Sequence, residues 1–99
     1  SKMSWLDRAS LDRQIKKANS VMEASKLVSM ANQIASFFAT EPDRTAAVFG
    51  TFNHIQKFWE PRMRATLLET FDAGGDHGMH ELVVAALTEH RAGLERVTL

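Results

Sequence analysis

Four histidines are the residues of this chain that could bind a metal: His54, His77, His80 and His90. His77 and His80 lie three positions apart, a spacing that puts two side chains on the same side of one helix. Gly78 lies between them, however, and the helical pattern begins only after it, so the two imidazoles are not expected to share a helix face. The chain has no cysteine that could supply a thiolate. We therefore predict no metal site.

The sequence also contains no recognisable set of catalytic residues. No serine lies in a Gly-x-Ser-x-Gly motif. Asp72 and Asp76 flank the glycine pair at 74–75, but carboxylates beside a glycine turn are typically solvated turn residues. The glycine pair is too short for a phosphate-binding loop, and no lysine follows it. The sequence predicts neither catalysis nor cofactor binding by this chain alone.

The stretch 57–64, with the sequence KFWEPRMR, has the residue types of a protein interface instead. Tryptophan and arginine are enriched where one protein anchors on another. Because proline fits the first turn of a helix and disfavours helix at the residue before it, one helix should end near Trp59 and another begin at Pro61. Arg62 and Arg64 cannot point the same way on a helix. We predict that Trp59, Arg62 and Arg64 belong to a partner-binding region. Trp59 is expected to pack in the core, and at least one of the two arginines is expected to point outward.

Asn32 and Gln33 are polar residues in the middle of a predicted helix, beside apolar positions. Asparagine is unfavourable inside a helix unless its amide makes a hydrogen bond. Two interpretations remain open, a hydrogen bond to solvent or between helices of this chain, or a polar contact to a partner protein. We include both residues in the predicted partner-binding region.

These residues must be positioned by helices, because apolar residues recur at three- and four-residue spacings almost throughout. The pattern predicts segments over about 4–19, 22–40, 43–59, 61–71 and 79–91. Asp43 is expected to cap the third helix, Gly50 to weaken it or permit a close helix contact, and Gly74 or Gly75 to end the fourth. The predicted core-facing residues are Leu27, Met30, Ile34 and Phe37 or Phe38 in the second helix, and Val48, Phe52, Ile55 and Trp59 in the third. No segment alternates long enough for a strand, so we predict an all-α bundle of four to five short helices.

The first predicted helix is amphipathic and has no assigned neighbour. Leu11, Ile15 and Ala18 lie on one face, and Trp5 lies near its start. The charged residues of the opposite face are Asp7, Arg8, Asp12, Arg13, Lys16 and Lys17. Such a helix could dock on its own core, on a second copy of the chain or on a larger partner.

Length, charge and composition exclude several classes of protein. The chain has 99 residues, with 12 Lys and Arg against 12 Asp and Glu. A balanced charge argues against nucleic-acid binding, which needs a basic face. No apolar run approaches the length of a membrane span, and no secretory signal is visible, so we expect a cytoplasmic location. A domain this small without disulfides gains stability from a partner, and a homodimer of the isolated chain stays open.

Two motifs in this sequence resemble the delta subunit of NAD-dependent formate dehydrogenase. They are LVSMANQIASFF at 27–38 and KFWEPRMR at 57–64, with Val48 and the sequence NHI at 53–55 between them. The DAGG turn at 72–75 and the apolar closing helix fit the same family, so that the resemblance covers about residues 26–87. We therefore divide the chain into an N-terminal helical extension at 1–24, a delta-subunit-like helical core at 25–92 and a C-terminal tail at 93–99.

The resemblance implies an accessory subunit of a multi-subunit enzyme. In that enzyme a large alpha subunit carries molybdenum or tungsten on a pterin dinucleotide together with iron–sulfur clusters, and beta and gamma subunits carry flavin and reduce NAD. The delta subunit holds no known redox centre, so we expect no cofactor here. It is expected to dock on the large molybdenum or tungsten subunit and to support assembly, stability or activity. The alternatives are a chaperone-like factor for the apo large subunit, and a helical adaptor unrelated to formate.

Overall fold

The computed structural model describes residues 22–74 and 77–95, and these residues form helices joined by short connections. In chain order the helices are α1 over residues 22–38, α2 over Arg44–Phe58, α3 over Pro61–Asp72, α4 over Glu81–Glu89 and α5 over Arg91–Glu95. No β-strand occurs within this described part. The prediction of a small all-α fold is confirmed. The helix predicted over 4–19 lies outside the described residues, as does nearly all of the extension at 1–24.

The helix ends follow the signals in the sequence. The Asp43 carboxylate accepts a hydrogen bond from the backbone N–H of Thr45 at 3.0 Å and caps α2. Trp59 follows the last residue of α2, and Pro61 is the first residue of α3, as the proline predicted. Gly74 has a φ of 94° after the end of α3, a conformation that glycine adopts without strain. The predicted breaks between the second, third and fourth helices are thus confirmed.

The core lies between α2 and α4, with α1, α3 and α5 packed around them. The apolar face predicted for the third helix is confirmed, because Val48, Phe52 and Ile55 on α2 and Trp59 at its C-terminal end are all buried. The other large buried apolar residues are Leu27 and Val28 on α1, Leu67 and Leu68 on α3, Leu82, Val83 and Leu87 on α4, and Leu94 on α5. Apolar area removed from water in this way is the main source of stability in a domain without cross-links.

The buried face of α1 contains the predicted stripe together with two alanines that the prediction did not name. Ala31 and Ala35 are 0% exposed and face the core. Of the predicted stripe, Leu27 is buried, and Met30, Ile34 and Phe38 are half-buried and pack against the core, whereas Phe37 is 72% exposed. The alanines are the most deeply buried residues of α1, because their small side chains let the helix approach its neighbours closely, and the larger residues of the stripe pack beside them.

The C-terminal part of the fold also differs from the expectation of a tail from residue 93. The predicted last helix is two helices separated at His90, and the second of them, α5, extends to Glu95. Leu94 is only 3% exposed, and Gly93 lies so close to Phe52 that a β-carbon at this glycine would be 2.7 Å from the ring. The missing side chain of Gly93 therefore lets α5 pack on the core. Residues 96–99 lie outside the described part.

Candidate partner interface

Arg64 is the central residue of the corner between α2 and α3. Its side chain is buried, and its Nη1 donates hydrogen bonds to the backbone carbonyls of Gln56 at 3.0 Å and Trp59 at 2.9 Å. Its Nε donates to the carbonyl of Leu94 at 3.3 Å. The last carbonyls of a helix have no partner inside that helix. Arg64 therefore satisfies the end of α2 and ties it to α5.

Arg62 has the opposite environment, although it lies only two residues away. It is exposed, and within the described residues its guanidinium makes no hydrogen bond or ion pair. Since a guanidinium carries a permanent charge and five donors, Arg62 is available for a carboxylate of another protein. The two arginines point in different directions, as their spacing predicts.

Asn32 and Gln33 also separate into an inward and an outward residue. The Asn32 side chain donates from Nδ2 to the carbonyl of Gly78 at 2.8 Å, and its Oδ1 accepts from the backbone N–H of His80 at 2.8 Å. This amide therefore connects α1 to the segment before α4. Gln33 is exposed, and its side chain has no hydrogen-bond partner among the described residues.

A groove lies beside Gln33, between α1 and the second half of α2. Its volume is about 500 Å³. Apart from Gln33 and His54 its lining is apolar, and the residues that line it are Met30, Gln33, Ile34, Phe37, Phe38, His54 and Trp59. Trp59 is 6% exposed, so its ring forms part of the core as well as the groove wall. We call this feature the α1–α2 groove.

Aromatic rings border the α1–α2 groove. Phe37 and Phe38 meet edge to face, with ring centroids 5.1 Å apart, and the His54 and Phe58 rings are 4.7 Å apart. Phe37 and Phe58 are each 72% exposed. Rings left in water on two adjacent helices are unfavourable for an isolated chain and are typical of an interaction surface.

The groove continues along α1 as a shallower depression towards the start of the described chain. This second part is lined by Met22, Ser25, Lys26, Ser29, Met30 and Gln33, so that it shares Met30 and Gln33 with the α1–α2 groove. Among the lining residues of both parts, Lys26 is the only one with a permanent charge, and none is a carboxylate. We call this part the α1 extension. The combined surface is therefore largely apolar and carries one cation.

A family model described as the NADH-dependant formate dehydrogenase delta subunit FdsD matches residues 26–87. The chain belongs to this family. The match confirms the resemblance carried by the two sequence motifs, and it makes the chain a formate dehydrogenase subunit by family. No curated protein and no solved structure matches the chain.

The delta-subunit match contains the whole lining of the α1–α2 groove, from Met30 to Trp59. It also contains Arg62 and Arg64, whereas α5 and the first 25 residues lie beyond it. None of the helices in the described part of this delta-subunit family member is long and apolar enough to cross a membrane.

Three of the four histidines of this delta-subunit family member, His54, His80 and His90, have structural contacts, and His77 is exposed. His80 caps α4, because its Nδ1 accepts from the backbone N–H of Leu82 at 3.0 Å. His90 stacks on the Phe52 ring, with centroids 4.5 Å apart. Within residues 22–74 and 77–95, no three His, Asp or Glu side chains are grouped so that they could hold a metal.

Phe37, Phe58 and His54 were not predicted as partner-binding residues, although Phe37 and His54 line the groove and the Phe58 ring lies against His54. A signal for two of them was present in the sequence. Phe37 and Phe38 are adjacent on one helix, and adjacent side chains point about 100° apart, so both cannot face one core. Phe58 likewise lies next to Trp59, which shares the core-facing pattern of α2.

Proposed function

We propose that this chain is a non-catalytic accessory subunit that docks on the large molybdenum- or tungsten-bearing subunit of an NAD-dependent formate dehydrogenase. The family match over residues 26–87 carries the proposal, because it covers every residue of the α1–α2 groove. The proposal keeps the cytoplasmic location expected from the sequence and assigns no cofactor to this chain.

The α1–α2 groove is the proposed docking surface. An exposed aromatic pair beside a concave apolar surface is the arrangement in which interface hot spots are found, since bulky anchors fill pockets from which water is excluded. Phe37 and Phe58 are the anchors, and Gln33 and His54 offer polar atoms near them. Covering these two rings gives the complex a favourable apolar contribution that the isolated chain lacks.

The predicted partner-binding residues divide into two roles in this proposal. Gln33 and Arg62 contact the partner directly, because both side chains are exposed. Trp59 supplies the groove wall. Asn32 and Arg64 position the surface, because their hydrogen bonds fix α1 against the segment before α4 and fix the end of α2 against α5.

The proposed mechanism is thermodynamic. A partner that binds the assembled, active form of the large subunit more tightly than other forms raises the population of that form. Binding of the native state alone also stabilises it against unfolding, by mass action. The accessory subunit would thereby support assembly, stability or activity without contributing a reacting group.

The test is recovery of the partner from cells that produce the enzyme. The tagged full chain is purified from cells grown on formate, and the eluate is analysed for subunit stoichiometry, metal content and formate oxidation. The proposal predicts a one-to-one complex with the metal-loaded large subunit. Recovery with the metal-free large subunit alone would replace it with the chaperone-like alternative, and recovery of no formate dehydrogenase subunit would reject both.

A second experiment tests the supporting role directly. Deletion of this chain is expected to lower the yield, metal loading or activity of the remaining complex, and expression of the chain from a plasmid should restore it. Unchanged yield, metal loading and formate oxidation without the chain would exclude an accessory role.

A further inference from the structure

We propose that two copies of the free chain pair through α1, with the two helices antiparallel and the Phe37 ring of each copy seated in the α1 extension of the other. The proposal concerns the isolated chain and goes beyond the proposed docking function. It is drawn from the spacing between an exposed ring and a depression on one face of the same helix.

The α1 extension contains the kind of hole that one helix offers to a side chain of another. Met22, Ser25, Lys26 and Ser29 line this hole, at positions i, i+3, i+4 and i+7 of α1. Four residues at these positions form the hole into which a knob side chain inserts when two helices pack. All four are exposed, and the short side chains of the two serines leave space for a ring.

Phe37 is the knob that projects from the same face of α1. It lies about three helical turns after Lys26, and it is 72% exposed. Met30 and Gln33 lie between them, so that the four residues follow one another at spacings of four, three and four, the repeat of a coiled-coil seam. We call these four residues the α1 seam. Ala35 is 0% exposed and lies on the opposite side of the helix, so the seam points away from the core.

A two-fold axis matches the ring of each copy with the hole of the other. In an antiparallel pair with Met30 opposite Gln33 of the second copy, Lys26 comes opposite Phe37 of that copy, because the seam has the same spacing in both directions. An interface that uses the same patch on both sides closes into a dimer. A partner of another sequence would need both a ring and a hole at this spacing, whereas a second copy has both.

The charges of α1 permit this pairing. Between residues 22 and 38 the charged residues are Glu23 and Lys26. In the antiparallel pair the two Lys26 side chains lie about 16 Å apart along the helix axes, well beyond the screening length of about 8 Å at physiological salt. Each Lys26 ammonium instead lies beside a Phe37 ring of the other copy, and the face of such a ring attracts a cation.

The contact is small, so the dimer is weak. It runs from Met22 to Phe37, about 22 Å, and with a helix width of about 10 Å it buries on the order of 500 Å² in the two copies together. Stable dimers bury at least about 1,200 Å². Phe37 is also an anchor of the proposed docking surface, so a copy that is docked on the large subunit cannot pair in this way.

Sedimentation equilibrium of the full chain, from about 10 µM to about 1 mM, tests the dimer. A reversible equilibrium between monomer and dimer is expected. Phe37→Ser should weaken dimerisation at least ~10-fold. Phe58→Ser removes an equally exposed ring outside the seam and should leave dimerisation unchanged. A chain that stays monomeric, a chain that associates beyond the dimer, or equal effects of the two changes would overturn the proposal.

The same two variants separate this proposal from the docking function. Docking on the large subunit requires both Phe37 and Phe58, whereas the dimer requires Phe37 alone. Sedimentation is measured without any partner, so a failure of the docking proposal leaves its result unaffected.

A further variant tests the hole. Ser29→Leu places an apolar side chain where the ring of the other copy should lie, and it keeps Phe37 in place. This change should weaken dimerisation at least ~10-fold, whereas Ala46→Leu, at an exposed position of α2 outside the seam, should not. Association that followed apolar surface alone would be strengthened by both leucines. Unchanged or tighter dimerisation of Ser29→Leu therefore contradicts the proposal.

Paramagnetic broadening between copies tests the antiparallel arrangement. The chain has no native cysteine, so Glu23→Cys carries a single nitroxide on an exposed position of α1 beside the seam. In a mixture with ¹⁵N-labelled chain that lacks the nitroxide, this label should broaden the backbone amide signals around Phe37. The signals around Glu23 should stay sharp, since the antiparallel pair places them about 25 Å away along α1.

Glu89→Cys, at an exposed position of α4, provides the control label and should broaden neither region. Broadening around Glu23 but not around Phe37 would identify a parallel pair and overturn the proposal. Absence of broadening in both regions with the label at position 23 would overturn it as well.

Discussion

The ring of Phe38 lies directly against the backbone of Gly50, where α1 and α2 approach each other. A β-carbon at Gly50 would be 2.4 Å from Cδ1 of the ring and 2.5 Å from Cε1, much closer than carbon atoms can come. Phe38 also lines the α1–α2 groove. The absence of a side chain at Gly50 therefore determines the position of a groove residue.

Gly50→Ala tests this relationship. Alanine is favoured over glycine in a helix by about 1 kcal/mol, but displacing a packed ring costs roughly 1–3 kcal/mol. We expect a net loss of about 1 kcal/mol in the free energy of unfolding, measured by urea denaturation. In a Phe38→Ala background the same change should stabilise the chain by about 1 kcal/mol. Equal stabilisation in both backgrounds would show that the ring is free to move away.

The sequence predicted those features that depend on neighbouring residues. The break at Pro61 and the cap at Asp43 follow from backbone chemistry within a few residues, and both are confirmed. The prediction for α1 did not include Ala31 and Ala35, which are fully buried, because the burial of a small residue depends on how closely another helix approaches it in the fold. α5 was missed because its helix is only five residues long and gains its stability from packing on the core.

The candidate site also contains features that depend on the fold and not on neighbouring residues in the sequence. Arg62 and Arg64 are chemically identical, and only the fold distinguishes an exposed cation from a buried helix cap. A partial signal exists for Arg64. The terminal carbonyls of a helix need donors, and an arginine in the first turn after a proline break is close to the carbonyls of the helix before it.

Arg64→Ala should therefore lower the stability of the chain, whereas Arg62→Ala should weaken only its binding to the partner. Removing the Arg64 guanidinium leaves the carbonyls of Gln56, Trp59 and Leu94 without this donor, so we expect a loss of at least ~3 kcal/mol in unfolding free energy. Arg62→Ala should change the stability by less than ~0.5 kcal/mol, while weakening binding to the large subunit. Circular dichroism during thermal unfolding measures the first effect and a binding titration the second. Similar stability of the two variants would contradict the structural role of Arg64.

Asn32 and Gln33 form a second matched pair. Asn32→Ala removes the side-chain bonds to Gly78 and His80, and a loss of about 2 kcal/mol is expected because these backbone groups lose their partner. Faster hydrogen exchange of the His80 amide should accompany it, since that N–H donates to Asn32. Gln33→Ala should leave both the stability and the exchange rate unchanged. If the His80 amide still exchanges slowly in Asn32→Ala, the hydrogen bond from His80 to Asn32 contributes little to the stability of this part of the fold.

The ion pair between Asp72 and Arg91 predicts a pH dependence. The Arg91 guanidinium donates to both carboxylate oxygens of Asp72, at 2.9 and 2.6 Å, and this hydrogen bonding holds the pKa of Asp72 below its ordinary value. A lowered folded-state pKa gives stability that is present above the unfolded pKa of about 3.9 and is lost as the pH falls through the folded value. Asp72→Asn should therefore lose less stability than the wild type on acidification below pH ~4. Salt should reduce the difference, because the pair is exposed.

Glu69→Gln is the control for that measurement. Glu69 is an exposed carboxylate on the same helix and makes no ion pair among the described residues. The acid-induced change in melting temperature of the Glu69→Gln variant should match that of the wild type. If acidification changes the melting temperatures of Glu69→Gln and Asp72→Asn equally, the ion pair with Arg91 does not contribute to the loss of stability at low pH.

The exposed rings of the groove give the most direct prediction about docking. Phe37→Ser and Phe58→Ser remove rings that are largely in water, so each should change the unfolding free energy by less than ~0.5 kcal/mol. If the rings anchor the large subunit, each change should cost about 2 kcal/mol of binding free energy, or roughly 30-fold in Kd. Titration of each variant with the purified large subunit measures this loss.

Phe49 provides the matched control for those two rings. It is also an exposed phenylalanine on α2, but it contacts Phe52 and His90, whereas the Phe58 ring contacts His54 of the groove lining. Phe49→Ser should leave the affinity for the large subunit unchanged. A uniform loss in all three variants would mean that binding follows total exposed apolar area, and an effect of Phe49→Ser alone would move the docking surface to the side of α2 that faces His90. Only a loss confined to Phe37 and Phe58 is consistent with docking in the α1–α2 groove.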